Sequence, residues 1–299
     1  MTSATAPSHT ARSASTTRRA QRALAIAVGV ADIRHDPDDA SELVTQALLG
    51  AAATPIETTP TGWTRVRLVD YEGWAHSAEL AAPTRRAAQV VVVTAMRAPL
   101  YASWRGATTV DEVFASSLLP ITPAGQRPAS GRLRVALPGK RVAWIAASDA
   151  EQRPATESFP LRGPEAMAAL GRSLLGVPYL WGGVSQRGID CSGLAQLASR
   201  VAGATILRDA DQQYETLPYV VERGNVQLGD LVFFASHGSI THVGIALDNM
   251  TLLHASGSGV GVVITSLDPA EGGASASLAA RYAGARRVFP YYPDMDAAR

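Results

Sequence analysis

The chain of 299 residues holds a single cysteine, Cys191. That excludes an intrachain disulfide and any zinc site built on a Cys-x-x-Cys pair. Net charge is almost absent as well, at +1 with 18% of residues charged. Bulk charge therefore gives no case for a nucleic-acid partner. No apolar run is long enough for a transmembrane helix, so no membrane partner is expected. Large apolar side chains are scarce in residues 1–19, a stretch of Ser, Thr, Ala and Arg that predicts a disordered tail. What remains is too long for one small domain, and two or three are expected.

The lone cysteine lies in Ile189-Asp190-Cys191-Ser192-Gly193-Leu194. Leu194, Leu197, Ala198 and Val201 recur at helical spacing, which puts Cys191 at a helix start. Unpaired amides and the helix dipole favour a thiolate there. Asp190 and Ser192 suit the cap of the same helix. Gly193 is expected to leave room beside the sulfur for a substrate. Thr241–Leu247 and Thr251–Ala255 read as neighbouring strands across the turn Asp248-Asn249. Alternation puts His242, Gly244 and Ala246 on one face, expected to be open, and Val243, Ile245 and Leu247 on a core face. Strands about 5 Å apart allow His242 and His254 to touch. The three residues then fit a thiol nucleophile, its base and the group that orients the base. Alone, the cysteine reads as a small buried apolar residue and each histidine as structural. Zinc held by Cys191, His242 and His254 is the rival use of the same residues. His9, His35, His76 and His237 have no such partners and read as surface or loop residues. No cofactor or metal is expected.

Five ordered motifs extend this constellation: Pro178-Tyr179-Leu180-Trp181-Gly182-Gly183, Asp190-Cys191-Ser192-Gly193-Leu194, Gly229-Asp230-Leu231-Val232-Phe233-Phe234, His242-Val243-Gly244-Ile245 and His254-Ala255. Together they resemble the NlpC-type cell-wall cysteine peptidases over about residues 160–292. Arg208-Asp209-Ala210 with Gln212 and Gln213 is similar to a further segment of that family. The resemblance implies a papain-like α+β fold with Cys191 as nucleophile, His242 as base and His254 as orienting residue. It also implies that the Tyr179 hydroxyl faces the site, where it and the Cys191 amide suit a developing oxyanion. The alternative for Tyr179 is a packing aromatic. Trp181, Gly182 and Gly183 are expected to form a pocket wall, and Asp230 is given no catalytic role.

Residues 20–150 read as short strands broken by turns, among them Ala25–Ile33, Trp63–Val69, Val90–Thr94, Leu133–Leu137 and Val142–Ile145. Trp63, Tyr71, Gly73, Trp74, Glu79 and Leu80 resemble the end of a bacterial SH3-like domain, and Met96–Tyr101 the start of another. The expected organisation is a tail (1–19), two small all-β SH3-like barrels (20–85 and 86–150), a linker (151–163) and the peptidase domain (164–299), which opens on a helix over Pro164–Leu175. This arrangement resembles the γ-D-glutamyl-L-diamino acid endopeptidases of murein-peptide turnover, in which the first SH3-like domain closes one end of the groove. The substrate implied is a murein peptide with a free N-terminal L-Ala and a diaminopimelate or lysine residue. Asp190, Ser192, Glu42 and Tyr71 are the residues expected at its amine. The bland readings are a cap for Asp190, a solvated charge for Glu42 and a core aromatic for Tyr71. Competing functions are a secreted hydrolase of intact wall, an inert cell-wall binding module and a thiol acyltransferase. Arg18, Arg19 and Arg22 precede an apolar run, Ala23–Ala31, that is short for a signal peptide. It leads directly into what resembles the first barrel strand, Asp32-Ile33-Arg34. The expected location is cytoplasmic, with secretion as the alternative.

Overall fold

The computed structural model describes residues 22–122, 131–257 and 261–290. The expected tail, with His9, lies outside these residues. A first β-unit comprises β1 (Leu24–Ile26), β2 (Val30–Arg34), β3 (Leu43–Leu48), β4 (Ala52–Thr58), β5 (Trp63–Arg67), β6 (Glu72–His76) and β7 (Leu80–Ala81). They form one sheet in the order β3-β2-β6-β5-β4-β1-β7. Its interior holds Ile26, Ile33 and Val66 with four alanines, Ala31, Ala47, Ala53 and Ala75. Ala25–Ile33, expected as one strand, is two. β1 pairs with β4 and β7, whereas β2 pairs with β3 and β6. One straight strand cannot serve both edges, so the chain turns at Ala27–Gly29. A side chain at Gly29 would meet the Glu112 carbonyl at 2.4 Å, so the next unit packs tightly against this turn.

The second unit holds β8 (Gln89–Val93), β9 (Arg97–Tyr101), β10 (Thr109–Phe114), β11 (Leu118–Pro120), β12 (Arg132–Leu137), β13 (Arg141–Ala146) and β14 (Ala150–Pro154). A sheet ordered β10-β9-β13-β12 and another ordered β11-β8-β14 enclose one core that includes Val91, Leu100, Val113, Leu119, Val135 and Ile145. The linker expected from residue 151 therefore starts too early. Glu151–Pro154 continue a ladder opposite Gln89–Val92, because their amides and carbonyls find partners there.

The third unit holds α1 (Gly163–Ser173), β15 (Val184–Ser185), β16 (Gly188–Ile189), α2 (Cys191–Val201), α3 (Ala210–Thr216), β17 (Tyr219–Val221), β18 (Leu231–Ser236), β19 (Ser239–Ala246), β20 (Thr251–Ser256), β21 (Gly261–Ser266), α4 (Gly273–Ala280) and β22 (Tyr282–Arg287). Its sheet runs β17-β22-β18-β19-β20-β21. The run Leu231-Val232-Phe233-Phe234 is apolar throughout because both faces of the sheet are covered. Leu231 and Phe233 meet Met167 of α1 and Leu194 and Leu197 of α2, while Val232 and Phe234 share a second core with Leu252, Leu267 and Leu278 of α4. The face of β19 that carries His242 is thus not open, as the alternation had implied. Leu252 covers it, and a side chain at Gly244 would meet Leu252 at 2.6 Å. Among the described residues, no helix is long and apolar enough to cross a membrane.

Candidate active site

Asp190 caps α2, accepting the Gly193 amide at 2.6 Å. It does more than cap. Both its oxygens face the Arg208 guanidinium, at 3.0 and 2.6 Å, and it also accepts from the Gly182 amide at 2.8 Å and the Ser192 hydroxyl at 3.2 Å. Arg208 is 1% exposed and Asp190 6%. Burial presses the guanidinium towards neutrality, but Asp190 outweighs it and holds Arg208 above its ordinary value. Arg208 also donates to Ser192 Oγ at 2.9 Å and to Thr45 Oγ1 of β3 at 2.9 Å. The start of the cysteine helix is therefore anchored on a buried ion pair that reaches into the first β-unit.

The β15–β16 hairpin that leads into Asp190 is held from both sides. The Val184 amide donates to Gln46 of the first unit at 3.3 Å, and Arg187 donates to Glu112 of the second at 2.6 Å. Gly182 is required here. Its φ is +74°, and a side chain would meet the Leu43 carbonyl of β3 at 2.4 Å. Gly193 has a different role from the expected one. The position of its missing side chain faces the Gly183 carbonyl at 2.4 Å and Asp190, so the glycine serves close packing of helix on loop rather than substrate approach.

The sulfur sits where the sheet opens. β19 and β20 pair only through Ile245 with Leu253 and Ala246 with Leu252, then separate. The amides of Val243, beside His242, and of Ser192 point at the Cys191 sulfur. At the same opening, His242 Nε2 lies 2.8 Å from His254 Nδ1, the rings meeting edge to face, and His254 Nε2 lies 3.0 Å from Thr265 Oγ1 on β21. The histidines face each other. Among the described residues, no group of three His, Cys, Asp or Glu side chains is placed to hold a metal ion.

Burial sets the charge state. It pushes the Cys191 thiol up to about 12, helped by Asp190 and opposed by the two amides and Arg208. This runs against the expectation of a resting thiolate at the helix start, because desolvation exceeds what the amides contribute. Burial likewise pushes His242 down to about 3, reinforced by His254 and Arg281, and His254 down to about 4, reinforced by Arg281. The resting pair is thus a neutral thiol and a neutral imidazole. A raised thiol pKa means little thiolate at neutrality, and only thiolate alkylates. Iodoacetamide should label Cys191 at a rate that climbs about tenfold per pH unit from 6 to 9. A plateau already reached at pH 6 would show a resting thiolate instead.

Tyr179 is half-buried and bridges to Ile189. Burial raises its phenol, with Cys191 and Asp190 adding to the shift and Arg208 opposing it. Trp181 is 59% exposed and donates to Glu42 Oε1 at 2.9 Å, joining the pocket wall to the first unit. Tyr71 donates its hydroxyl to Asp209 Oδ2 at 3.2 Å. Burial and Asp209 push Tyr71 up to about 12, and the Glu42 charge also acts on it. Burial raises Asp209 too, against the pull of Arg208 and Tyr71. Of the residues expected at an amine, Glu42 lies close enough for its charge to act on Tyr71, whereas Asp190 and Ser192 are engaged with Arg208. The acidic partner of Tyr71 is Asp209, which the motif reading noted without giving it a role. The Arg208-Asp209 pair was its one sequence signal, with one charge turned inward and the next towards Tyr71.

Comparison with known proteins agrees with this anatomy. Residues 176–275 match the NlpC/P60 family, and residues 33–80 match the bacterial dipeptidyl-peptidase SH3 domain. The chain is 28% identical over 270 residues to a gamma-D-glutamyl-L-lysine dipeptidyl-peptidase of Bacillus cereus, covering 84% of this chain and 77% of that protein. It is 38% identical over 93 residues to an Escherichia coli murein DD-endopeptidase/murein LD-carboxypeptidase, spanning 31% of this chain and 49% of that one. The crystal structure of a Bacillus cereus NlpC/P60 family protein superposes with a TM-score of 0.78 at 25% identity, covering 90% of this chain and all of the other.

Proposed function

We propose that this NlpC/P60 cysteine peptidase hydrolyses the γ-D-glutamyl–L-diamino acid bond of murein peptides that carry a free N-terminal L-alanine. The observation that carries the reading is the cluster of Glu42, Tyr71 and Asp209 where the first β-unit meets the cysteine domain. A half-buried carboxylate whose pKa is raised by burial gains most from a cationic partner, and an ammonium is one. The named activity of the Bacillus cereus relative supports the same substrate class. The first unit is read as an SH3-like barrel that closes the groove, the second (86–154) as another of the same kind, and residues 164–299 as the catalytic domain.

In this mechanism the Cys191 sulfur attacks the γ-carbonyl while His242 takes the thiol proton. The oxyanion is met by the Cys191 amide and the Tyr179 hydroxyl. His242 then returns the proton to the leaving amine, and a thioester remains. Water, deprotonated by His242, adds to the thioester and releases L-Ala-D-Glu and the thiol. His254 holds His242 in position throughout. Short released peptides as substrates suit a cytoplasmic site of action.

The test compares kcat/KM for L-Ala-γ-D-Glu-diaminopimelate with that of its N-acetylated form. A buried charge-assisted contact contributes on the order of 1.5–3 kcal/mol, so acetylation should slow cleavage at least tenfold. Asp209→Asn should shrink that ratio. Equal rates for both peptides would remove amine recognition and favour hydrolysis of intact wall.

A further inference from the structure

We infer that Thr265 is a positioning residue that completes a chain of side chains behind the sulfur: Cys191, His242, His254, Thr265. The inference rests on the catalytic roles proposed above and goes beyond them, because it assigns the proton on each ring and names what fixes it. His242 uses Nε2 towards His254, at 2.8 Å, which leaves Nδ1 for the thiol. To accept the thiol proton, Nδ1 must be bare, and a neutral imidazole then carries its hydrogen on Nε2. That N–H donates to His254 Nδ1, which must itself be bare. The hydrogen of His254 is thereby placed on Nε2, and the atom facing it is Thr265 Oγ1 at 3.0 Å. The hydroxyl accepts it.

Geometry explains why position 265 does this. Thr265 pairs with Leu252 across the β20–β21 ladder, and His254 pairs with Val263. Thr265 is therefore the diagonal neighbour of His254 on the same face of the sheet, within reach of a side chain. His254 is 4% exposed, so an N–H without that acceptor has little water to turn to. The alternative tautomer, with hydrogen on Nδ1, relieves the unpartnered N–H but directs it at His242 Nε2. His242 must then carry its own hydrogen on Nδ1 and can no longer act as base. The hydroxyl thus supports the one arrangement of two protons in which the thiol can be deprotonated. Burial is the main cause that disfavours a cationic form of either ring, and Arg281 is the charged group that adds to it at both.

The experiment uses the full chain with Thr265→Val, which keeps the branched shape but loses the acceptor, and Thr265→Ser, which keeps the acceptor. Loss of the outer partner of a metal-bound imidazole typically costs about 10–100-fold, and a loss on the same scale is expected for this imidazole. Thr265→Val should lose at least tenfold in kcat with KM little changed, and Thr265→Ser should stay within about threefold of the parent. Imidazole nitrogen chemical shifts, recorded without substrate, should show His254 protonated on Nε2 in the parent and the serine variant, and shifted towards Nδ1 in the valine variant. Full activity in Thr265→Val, equal losses in both variants, or an unchanged His254 tautomer in an inactive valine variant each overturns the inference. The spectrum reads His254 whatever peptide the enzyme cleaves, so a failed substrate assignment and a failed role for Thr265 are told apart.

Discussion

Cys191→Ser is expected to leave a folded protein with no measurable peptide hydrolysis. The site is built around sulfur. A buried neutral thiol still ionises in the transition state more readily than an alcohol, because its ordinary pKa lies several units lower. The Val243 and Ser192 amides stabilise that developing charge. Serine is slightly smaller, so the packing around position 191 survives. Turnover should fall on the order of 10⁴-fold or more, as for removal of other nucleophiles that act as a unit with their base. His242→Ala should lose about 10²–10⁴-fold, the usual worth of a general base. His254→Ala should lose less, since it acts through His242 and water can partly take its place. Steady-state kinetics on the three variants, with circular dichroism to check folding, decides the roles. A serine variant that keeps a tenth of the parent rate would refute the nucleophile, and a His254→Ala loss exceeding that of His242→Ala would exchange the two histidines.

Arg208→Met is expected to cost stability as well as activity. Asp190 accepts from five donors, and two of them belong to Arg208. Methionine fills much of the arginine's volume but leaves a carboxylate almost fully buried with only neutral donors. Breaking one partner out of a buried pair costs about 3–5 kcal/mol, far more than an exposed pair is worth. Set against about 5–15 kcal/mol for a typical domain, that is a large fraction. Urea unfolding followed by circular dichroism should show the midpoint falling steeply. Thr45→Val, which removes only the hydroxyl that receives Arg208 Nε, should cost about 1 kcal/mol. A loss below about 1 kcal/mol for Arg208→Met would mean that Asp190 holds the helix start unaided. The pair also bears on substrate choice. Arg208 occupies the carboxylate once expected to bind an ammonium, and its neighbour Asp209 faces Tyr71 instead.

Much of the architecture is local and was legible. Leu194, Leu197 and Ala198 repeat on one helical face, and Asp190 is a helix cap in sequence and in structure. The uninterrupted Leu231–Phe234 run marks a strand buried on both sides. The strands of His242 and His254 follow from alternation and a turn, and their rings do meet. Periodicity reports which positions are apolar, because that is what a repeating backbone geometry imposes.

It does not report what lies above a given face or which distant polar group answers a buried one. Arg208 finds Asp190 eighteen positions back and Thr45 163 positions back, and neither separation leaves a trace in any local pattern. Leu252 closes the face expected to be open over Gly244, and the Gly183 carbonyl claims the space expected to be free beside Gly193. The charge state of Cys191 turned on the same blindness. Asp190, Ser192 and the helix dipole are written in the sequence and argue for a thiolate, but the surrounding protein removes water from the sulfur and reverses the balance. The order of residues along the chain was thus enough to propose which groups react. Their protonation, their supports and the acidic partner that meets Tyr71 were settled only by chain segments brought together from far apart, since desolvation and long-range pairing depend on the whole packed volume and not on any one segment.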